Sequence, residues 1–322
     1  MDKKKLWLLA GALALILVVV LAVVLGRTPG EEQPDKLPKI GLCLRQHEKT
    51  PEYGQLLEKT FQEAGFQVKL MDAKNDQTRQ TEQVADLLKE GATLLVIEPV
   101  IADAAIDTAR LLMEKNIPAV FIGNKSVSAL EMWNRLSFVG SAEDQLGALQ
   151  GEIILQTQNR GDLNEDGQVS CLVITGPEED GVAQRQAKDC VDALVAEGLI
   201  VDQIDTSWGE WTIDSGRMRC AKALSQLGKD IEVVICGNEE ITLGALEAIK
   251  TGGWQVGSDY YLVGVGAEEK LQNNELTGTV VYDFPQMAQQ VLSVAQKHIN
   301  GETPEKEFYV NLETVTGETD PE

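Results

Sequence analysis

The feature that most limits what this chain can fold into is a rhythm. From Lys39 onward, short apolar runs alternate with amphipathic stretches of helical period. IGLCL (40–44) precedes EYGQLLEKTFQEAG, QVKLM precedes QTEQVADLLKEG, TLLVIEP precedes ADAAIDTARLLMEKN, and PAVFIG follows. Strands that are apolar on both sides need cover on both faces, and a helix after each strand supplies it, so the pattern predicts parallel sheets flanked by helices. Several helical stretches close on Gly or Asn just before the next strand, the usual stop signal. After LSFVGSAE the rhythm restarts with GALQGEIILQTQ and runs through VSCLVITG, VAQRQAKDCVDALVAEG, LIVDQIDT, a helix over 214–227, IEVVICGN and ITLGALEAIKTG. YYLVGVGA, GTVVYD and QMAQQVLSVAQKHIN complete it. One pattern run twice predicts an α/β chain of two doubly wound parallel-sheet lobes with a hinge, and 322 residues are ample for two cores. Ligands of open α/β sheets sit beyond the carboxyl ends of the strands, so two facing lobes predict a shared cleft.

The N-terminus carries a different signal. After Lys3, Lys4 and Lys5, no charged residue interrupts Leu6 to Leu25. Twenty helical residues rise about 30 Å, enough to cross the hydrocarbon core of a bilayer. Three lysines before this span, against Arg27 just after it, place the N-terminus in the cytoplasm and the remainder outside. The span ends in LAVVLGR, with no small-x-small cleavage pattern and no cysteine for lipid attachment. The expectation is therefore an uncleaved signal anchor, a transmembrane helix ahead of the lobes, with a cleaved signal peptide as the alternative. Thr28 to Lys39 (TPGEEQPDKLPK) has three prolines and no apolar period and reads as a tether. The expected organisation is an anchor over 1–27, a tether over 28–38, a first lobe of 39–141 plus 283–301, and a second lobe of 142–282 plus 302–318. Hinge crossovers are expected near Ser141, Asp283 and Gly301.

Composition excludes several roles. The chain has 28 basic and 51 acidic residues, a formal net charge of −23, which repels nucleic acid and anionic headgroups. A ligand-responsive transcription repressor can share such a fold, but here a membrane anchor stands where a DNA-binding head would be. No GxxxxGK[ST] is present, no GxGxxG at the first strand-to-helix turn, and no GxSxG. His47 and His298 are far apart in sequence; His298 is expected at the surface of a terminal helix, and His47 lies in the first strand-to-helix loop, where a ligand could be touched. No enzyme is expected. The five cysteines (43, 171, 190, 220 and 236) show no CxxC spacing, and Cys43, Cys171 and Cys236 lie in apolar runs where cysteine packs as a small hydrophobe. One disulfide stays open on the sequence alone.

The stretch DLNEDGQVS (162–170) spaces Asp162, Asn164 and Asp166 ahead of Gly167 as an EF-hand loop begins. A full loop closes on a glutamate at its twelfth position, which here is Val173. Calcium wants six to eight hard oxygens, so the half-loop needs a carboxylate from elsewhere. An Asx-rich turn that binds no metal is the alternative. A dockerin repeat also uses this half-loop, but in two copies flanked by helices; this chain has one, followed by the apolar VSCLVI.

DLNEDGQVS, IEVVICGNEEITLGALEAIK, KNDQTRQTEQVADLLKEGATLLVIEP and GTVVYD, taken in order, resemble the galactose/glucose-binding receptors of the type I periplasmic solute-binding family, which serve sugar ABC importers. The likeness covers nearly all of residues 38–316. It implies a non-enzymatic receptor and a structural calcium ion held by Asp162, Asn164, Asp166, the backbone carbonyl of Gln168, Ser170 and Glu232, the last from IEVVICGN. The family carries a glutamine where this chain has Ser170. In the ligand cleft, the resemblance implies Trp211 as a stacking ring and Arg185 and Asn238 as fixed donors. Other positions depart from the family: Glu98 replaces an asparagine, Glu179 a histidine, Gly181 an aspartate with Asp180 one place off, Gly266 another aspartate, and Tyr282 the hinge-side asparagine. Tyr53 is the candidate for the front aromatic. Sites built from polar pairs discriminate sharply when one partner changes, so neither glucose nor galactose is inferred. The implied ligand is a small polar, sugar-like molecule, and an amine-bearing group could pair with Glu98 and Glu179. The expected function is a monomeric, membrane-anchored extracytoplasmic receptor serving an ABC permease, the alternative being a co-receptor for a membrane histidine kinase.

Overall fold

The computed structural model describes residues 37–46 and 51–317. The expected anchor at 6–25, most of the tether and His47 lie outside the described residues. Among the described residues no helix is long and apolar enough to cross a membrane.

The first lobe is built from β1 (Lys39–Leu44), α1 (Pro51–Glu63), β2 (Gln67–Asp72), α2 (Gln77–Lys89), β3 (Leu94–Ile97), α3 (Ala105–Lys115), β4 (Ala119–Ile122), α4 (Val127–Glu131) and β5 (Leu136–Ser141). The second contains α5 (Leu146–Leu155), β6 (Val169–Thr175), α6 (Gly181–Ala196), β7 (Val201–Trp208), α7 (Ile213–Leu227), β8 (Val233–Cys236), α8 (Glu239–Thr251), β9 (Tyr261–Val265) and β10 (Gly278–Tyr282). The chain then returns to the first lobe with α9 (Phe284–Ile299) and β11 (Glu307–Val310), and ends on β12 (Leu312–Thr316). The sheets run β2-β1-β3-β4-β5-β11 and β7-β6-β8-β9-β10-β12, the same order twice. All strand pairs are parallel except β12, which runs antiparallel to β10.

The alternation of side chains along each strand feeds two cores per sheet, one under each helical layer. On β6, Leu172 and Ile174 join a cluster with Val234, Ile241 and Leu262, whereas Cys171 and Val173 point the other way toward Ile153, Ile154 and Leu194. The first lobe repeats this with Leu42, Phe61 and Val291 on one face and Cys43, Leu87 and Phe121 on the other. Each such side chain taken from water contributes about 1.5–3 kcal/mol. All five cysteines are buried free thiols, and burial raises the thiol pKa of each. Helix ends follow the expected stops: Asn116 closes α3 with φ 54°, and Gly65 turns the chain after α1 with φ 87°.

Two expectations need correction. Residues 302–318 do not all belong to the second lobe. β11 pairs in parallel with β5 of the first sheet, and only β12 adds to the second. The segment before β11 is tied to the first lobe as well: the Phe138 N–H donates to the Lys306 carbonyl at 2.7 Å, and the Ser137 hydroxyl donates to the Glu305 carbonyl at 2.9 Å. The third crossing between lobes therefore lies at Asn311, not at Gly301. Otherwise β5 would be left as an open edge with unpaired backbone groups.

His298 is not at the surface. It is 0 % exposed and continues the buried stripe Val291, Val294 and Ala295 of α9. Its Nε2 lies 3.0 Å from the Ser137 hydroxyl, whose own proton goes to the Glu305 carbonyl, so Nε2–H is the donor and Nδ1 keeps a bare lone pair with no partner among the described residues. Burial, then the charges of Arg135 and Lys306, push its pKa down to about 4.

Candidate functional site

The carboxyl ends of both sheets open onto one cleft of about 1190 Å3. Single small-molecule sites usually occupy roughly 300–1,000 Å3, so this is an open cleft. The first lobe contributes Arg45 after β1, Tyr53 in the first turn of α1, Glu98 after β3 and Lys125 after β4. The second contributes Arg185 on α6, Asn238 to Glu240 at the start of α8, and Glu268 after β9. Glu143, Tyr282, Phe284 and Asn311 line it at the crossings.

The first-lobe wall is charge-paired. Glu98 accepts the backbone N–H of Arg45 at 3.1 Å, and its Oε1 lies 3.5 Å from the same residue's Nε. Gly123 (φ 66°) leaves room for this carboxylate, since a Cβ there would lie 2.9 Å from Glu98 Cγ. Lys125 donates to Glu307 at 3.1 Å and to the Tyr309 hydroxyl at 2.7 Å.

The second-lobe wall is different. Glu239 and Glu240 sit in the first turn of α8, where acidic side chains favour the helix N-terminus. Neither they nor Glu268 forms an ion pair among the described residues. The Glu239 carboxyl is held above the usual carboxylate range by partial burial and then by the like charges of Glu240, Glu269, Glu268 and, from the first lobe, Glu52. Glu143 is raised by burial and by Asp180, with Arg185 opposing.

Three rings run through the cleft at the crossing between the lobes. Tyr53 stacks on Phe284 with centroids 4.9 Å apart, and Phe284 stacks on Tyr282 at 5.9 Å and 13°. The Tyr53 hydroxyl is buried without a hydrogen-bond partner among the described residues, and burial followed by the charge of Glu98 raises its pKa. Burial followed by the charge of Glu143 raises Tyr282 to about 12.

Five of the seven ligand candidates from the sequence thus line this cleft: Arg185, Asn238, Tyr53, Glu98 and Tyr282. Asn238 caps α8, its Oδ1 accepting the Ile241 N–H at 2.8 Å while its Nδ2 donates to Glu240 at 2.9 Å, which leaves one amide hydrogen for a ligand. Trp211 and Glu179 are not in the lining. Trp211 covers the ends of β6 and β8, where a Cβ on Gly176 or Gly237 would lie 2.1 and 2.8 Å from its ring, and its Nε1 donates to Asp180 at 3.3 Å. Glu179 is exposed, and it is Asp180 that turns inward, capping α6 through the Val182 N–H at 2.8 Å. Sequence reasoning missed further lining residues, among them Lys125, Glu143, Glu239, Glu268 and Phe284. Their only signal was position, just past a strand end.

The acidic loop lies on the same lobe, between α5 and β6. The N–H groups of Asp166 and Gly167 donate to the two oxygens of Asp162 at 3.1 and 2.9 Å, and that of Gln168 donates to Asp166 at 2.9 Å. Glu232, 1 % exposed, reaches in from just before β8 and accepts the N–H groups of Asn164 and Ser170, both at 2.8 Å. Its carboxyl is raised by burial and by the charges of Asp162 and Asp166, against those two hydrogen bonds. Three like charges so placed and an all-oxygen donor set suit a hard cation. No three His, Cys, Asp or Glu side chains among the described residues are close enough to chelate one by themselves. Asn164, Ser170 and the Gln168 carbonyl would have to take part.

The periplasmic binding protein domain family matches residues 50–303. The chain is 29% identical over 251 residues to the D-galactose/methyl-galactoside binding periplasmic protein of Haemophilus influenzae, covering 74% of each. It is 21% identical over 265 residues to the ribose import binding protein of Escherichia coli, covering 80% of this chain and 83% of that one. Among solved structures, an ABC transporter solute binding protein from Bacillus halodurans with bound myo-inositol superposes with a TM-score of 0.71 at 20% identity, over 89% of this chain and 97% of the other. The match covers most of both lobes and the first two of the three crossings between them, and by it this chain belongs to the periplasmic binding protein domain family.

Proposed function

We propose that this protein is an extracytoplasmic receptor that closes its two lobes on a small hydroxylated ligand and delivers it to an ABC importer. The carrying observation is the cleft: it lies beyond the carboxyl ends of two like sheets, and polar side chains from both lobes face it. Contacts to both walls exist together only in the closed form, so a ligand that makes them shifts the population toward closure. Relatives named for galactose, ribose and myo-inositol support a polyol as the ligand class. No relative favours the histidine-kinase alternative.

In this reading Asp162, Asn164, Asp166, Gln168, Ser170 and Glu232 hold one calcium ion, which pins the loop to the second lobe. The ion supplies charge compensation, and the protein residues fix the fold around it. In the same reading residues 6–25 anchor the receptor to the membrane beside its importer. The test is calorimetric titration of the purified full chain, calcium-loaded, with D-galactose, D-glucose, D-ribose and myo-inositol. Binding of any one at about 1 mM or tighter is expected. Folded protein that binds no polyol, charged or neutral, contradicts the reading.

A further inference from the structure

The cleft holds more acid than a neutral polyol can use. Arg45 is ion-paired with Glu98 without a side-chain hydrogen bond among the described residues, and Lys125 is held by Glu307 and Tyr309. Arg185 lies within the field of Glu143, whose charge it opposes. Glu239, Glu240 and Glu268 are left on the second-lobe wall with no cation among the described residues, and Glu52 of the opposite lobe adds to their repulsion. Glu239 and Glu268 are exposed in the open cleft, so water solvates them there. Closure removes that water and brings Glu52 toward them. Burying like charges without a counter-ion opposes closure, whereas a cation between the walls reverses the sign.

A second feature points the same way. The stack of Tyr53, Phe284 and Tyr282 puts aromatic surface in the same cleft. Aromatic surface takes the C–H side of a polyol frame, which leaves the carboxylates to a positive group on the same ligand. A neutral sugar ring also suits an aromatic face, but it leaves the carboxylates unpaired.

From these we infer that the ligand on which the lobes close is a polyol carrying a protonated amine, its ammonium group set against Glu239 and Glu268 and its hydroxylated frame against Arg185, Asn238 and the rings. The inference rests on the receptor reading and names its substrate class. It also locates the specificity: the hydroxyl-binding groups are shared by any polyol, and the two glutamates discriminate by charge.

Matched pairs test it, each differing by one ammonium in place of one hydroxyl: D-glucosamine with D-glucose, D-galactosamine with D-galactose, and an amino-deoxyinositol with myo-inositol. The full chain is titrated calorimetrically with each at fixed calcium and low salt. The expected result is that in at least one pair the amine binds about tenfold tighter or more than its neutral partner. In the double variant Glu239→Gln, Glu268→Gln that ratio falls to near one, with thermal melting showing the variant folded. If neutral members bind as tightly as amines in every pair that binds, the charge inference is overturned and the polyol receptor stands. If an amine preference survives the double variant, the assignment to these glutamates is overturned. If no compound of either kind binds at about 1 mM, this inference and the receptor reading both fail.

Discussion

The two walls of the cleft belong to lobes with the same strand order, yet they hold their acid in opposite ways. On the first lobe Glu98 is paired with Arg45, and Lys125 is paired with Glu307. On the second, Glu239 and Glu268 face the cleft without an ion pair among the described residues, and Asp162, Asp166 and Glu232 converge a second time around the loop before β6. The difference teaches that the first lobe completes its electrostatics from its own side chains. The second leaves carboxylates without ion pairs among the described residues at both places, and in the proposed reading a metal ion at the loop and a charged ligand at the cleft supply the positive charge.

The largest test of that asymmetry is removal of calcium. A site filled at about 1,000 times its Kd adds about 4 kcal/mol to the state that binds it. Chelation of the full chain is expected to lower the melting temperature of the second lobe and leave the first unchanged, as followed by hydrogen exchange on β6 and β8 against β1 and β3. Glu232→Gln should give the same shift without chelator. Equal protection in all four strands, with and without chelator, would mean that the loop is an Asx turn and that the lobes do not differ in this way.

The first lobe has its own sensitivity, to acid. Protonating His298 at Nδ1 would create a buried N–H without an acceptor, and its folded pKa lies near 4 against about 6.5 in the unfolded chain. The unfolded state therefore binds the proton first as pH falls. The stabilisation is complete above about pH 6.5 and is lost progressively down to about pH 4, a change of about 3 kcal/mol. Urea unfolding at pH 7 and pH 4 measures it against His298→Leu, which should lack that increment while Ser137 keeps its bond to Glu305. An identical pH response in the variant would assign the acid sensitivity to carboxylates alone.

The smallest effect has the sharpest sign. Glu98→Gln removes the partner of Arg45 and is expected to destabilise the chain by about 0.5–1 kcal/mol, since both side chains are partly solvated. Glu268→Gln removes one member of a repelling set and is expected to be neutral or slightly stabilising without ligand. Chemical denaturation at low salt compares the two. Losses of equal size would mean that the walls do not differ.

Much of the fold was legible because it rests on short-range pattern. Apolar runs, helical period and Gly or Asn stops are properties of neighbouring residues, and they marked β1 to β10 and most of the helices between them. The switch at Asn311 was not legible. EFYVNLETVT reads as one β run, and only pairing with β5 on one side and β10 on the other divides it. His298 could have been placed inside, since it continues the spacing of Val291, Val294 and Ala295; its polarity hid the pattern. The cleft was half legible. Glu98 and Tyr282 were singled out as departures from a family pattern, but Glu239, Glu268 and Phe284 matter through what they face across space. Trp211 and Glu179 show the converse, since a position matched along the chain does not fix which way a side chain turns when Asp180 competes for the inward place.

The buried thiols give a direct route to observing closure on a ligand. All five native cysteines are buried with raised pKa values, so thiol-reactive probes select engineered surface sites. Asp103→Cys follows β3 on the first lobe and Asn273→Cys follows β9 on the second; both positions are exposed and lie past the carboxyl ends of central strands. The distance between spin labels at these sites is measured on the full chain, with and without a polyol or amino-polyol shown by calorimetry to bind. A shorter and narrower distance distribution on binding is the predicted result. An unchanged distribution under saturating ligand would contradict the two-lobe closure on which the account depends.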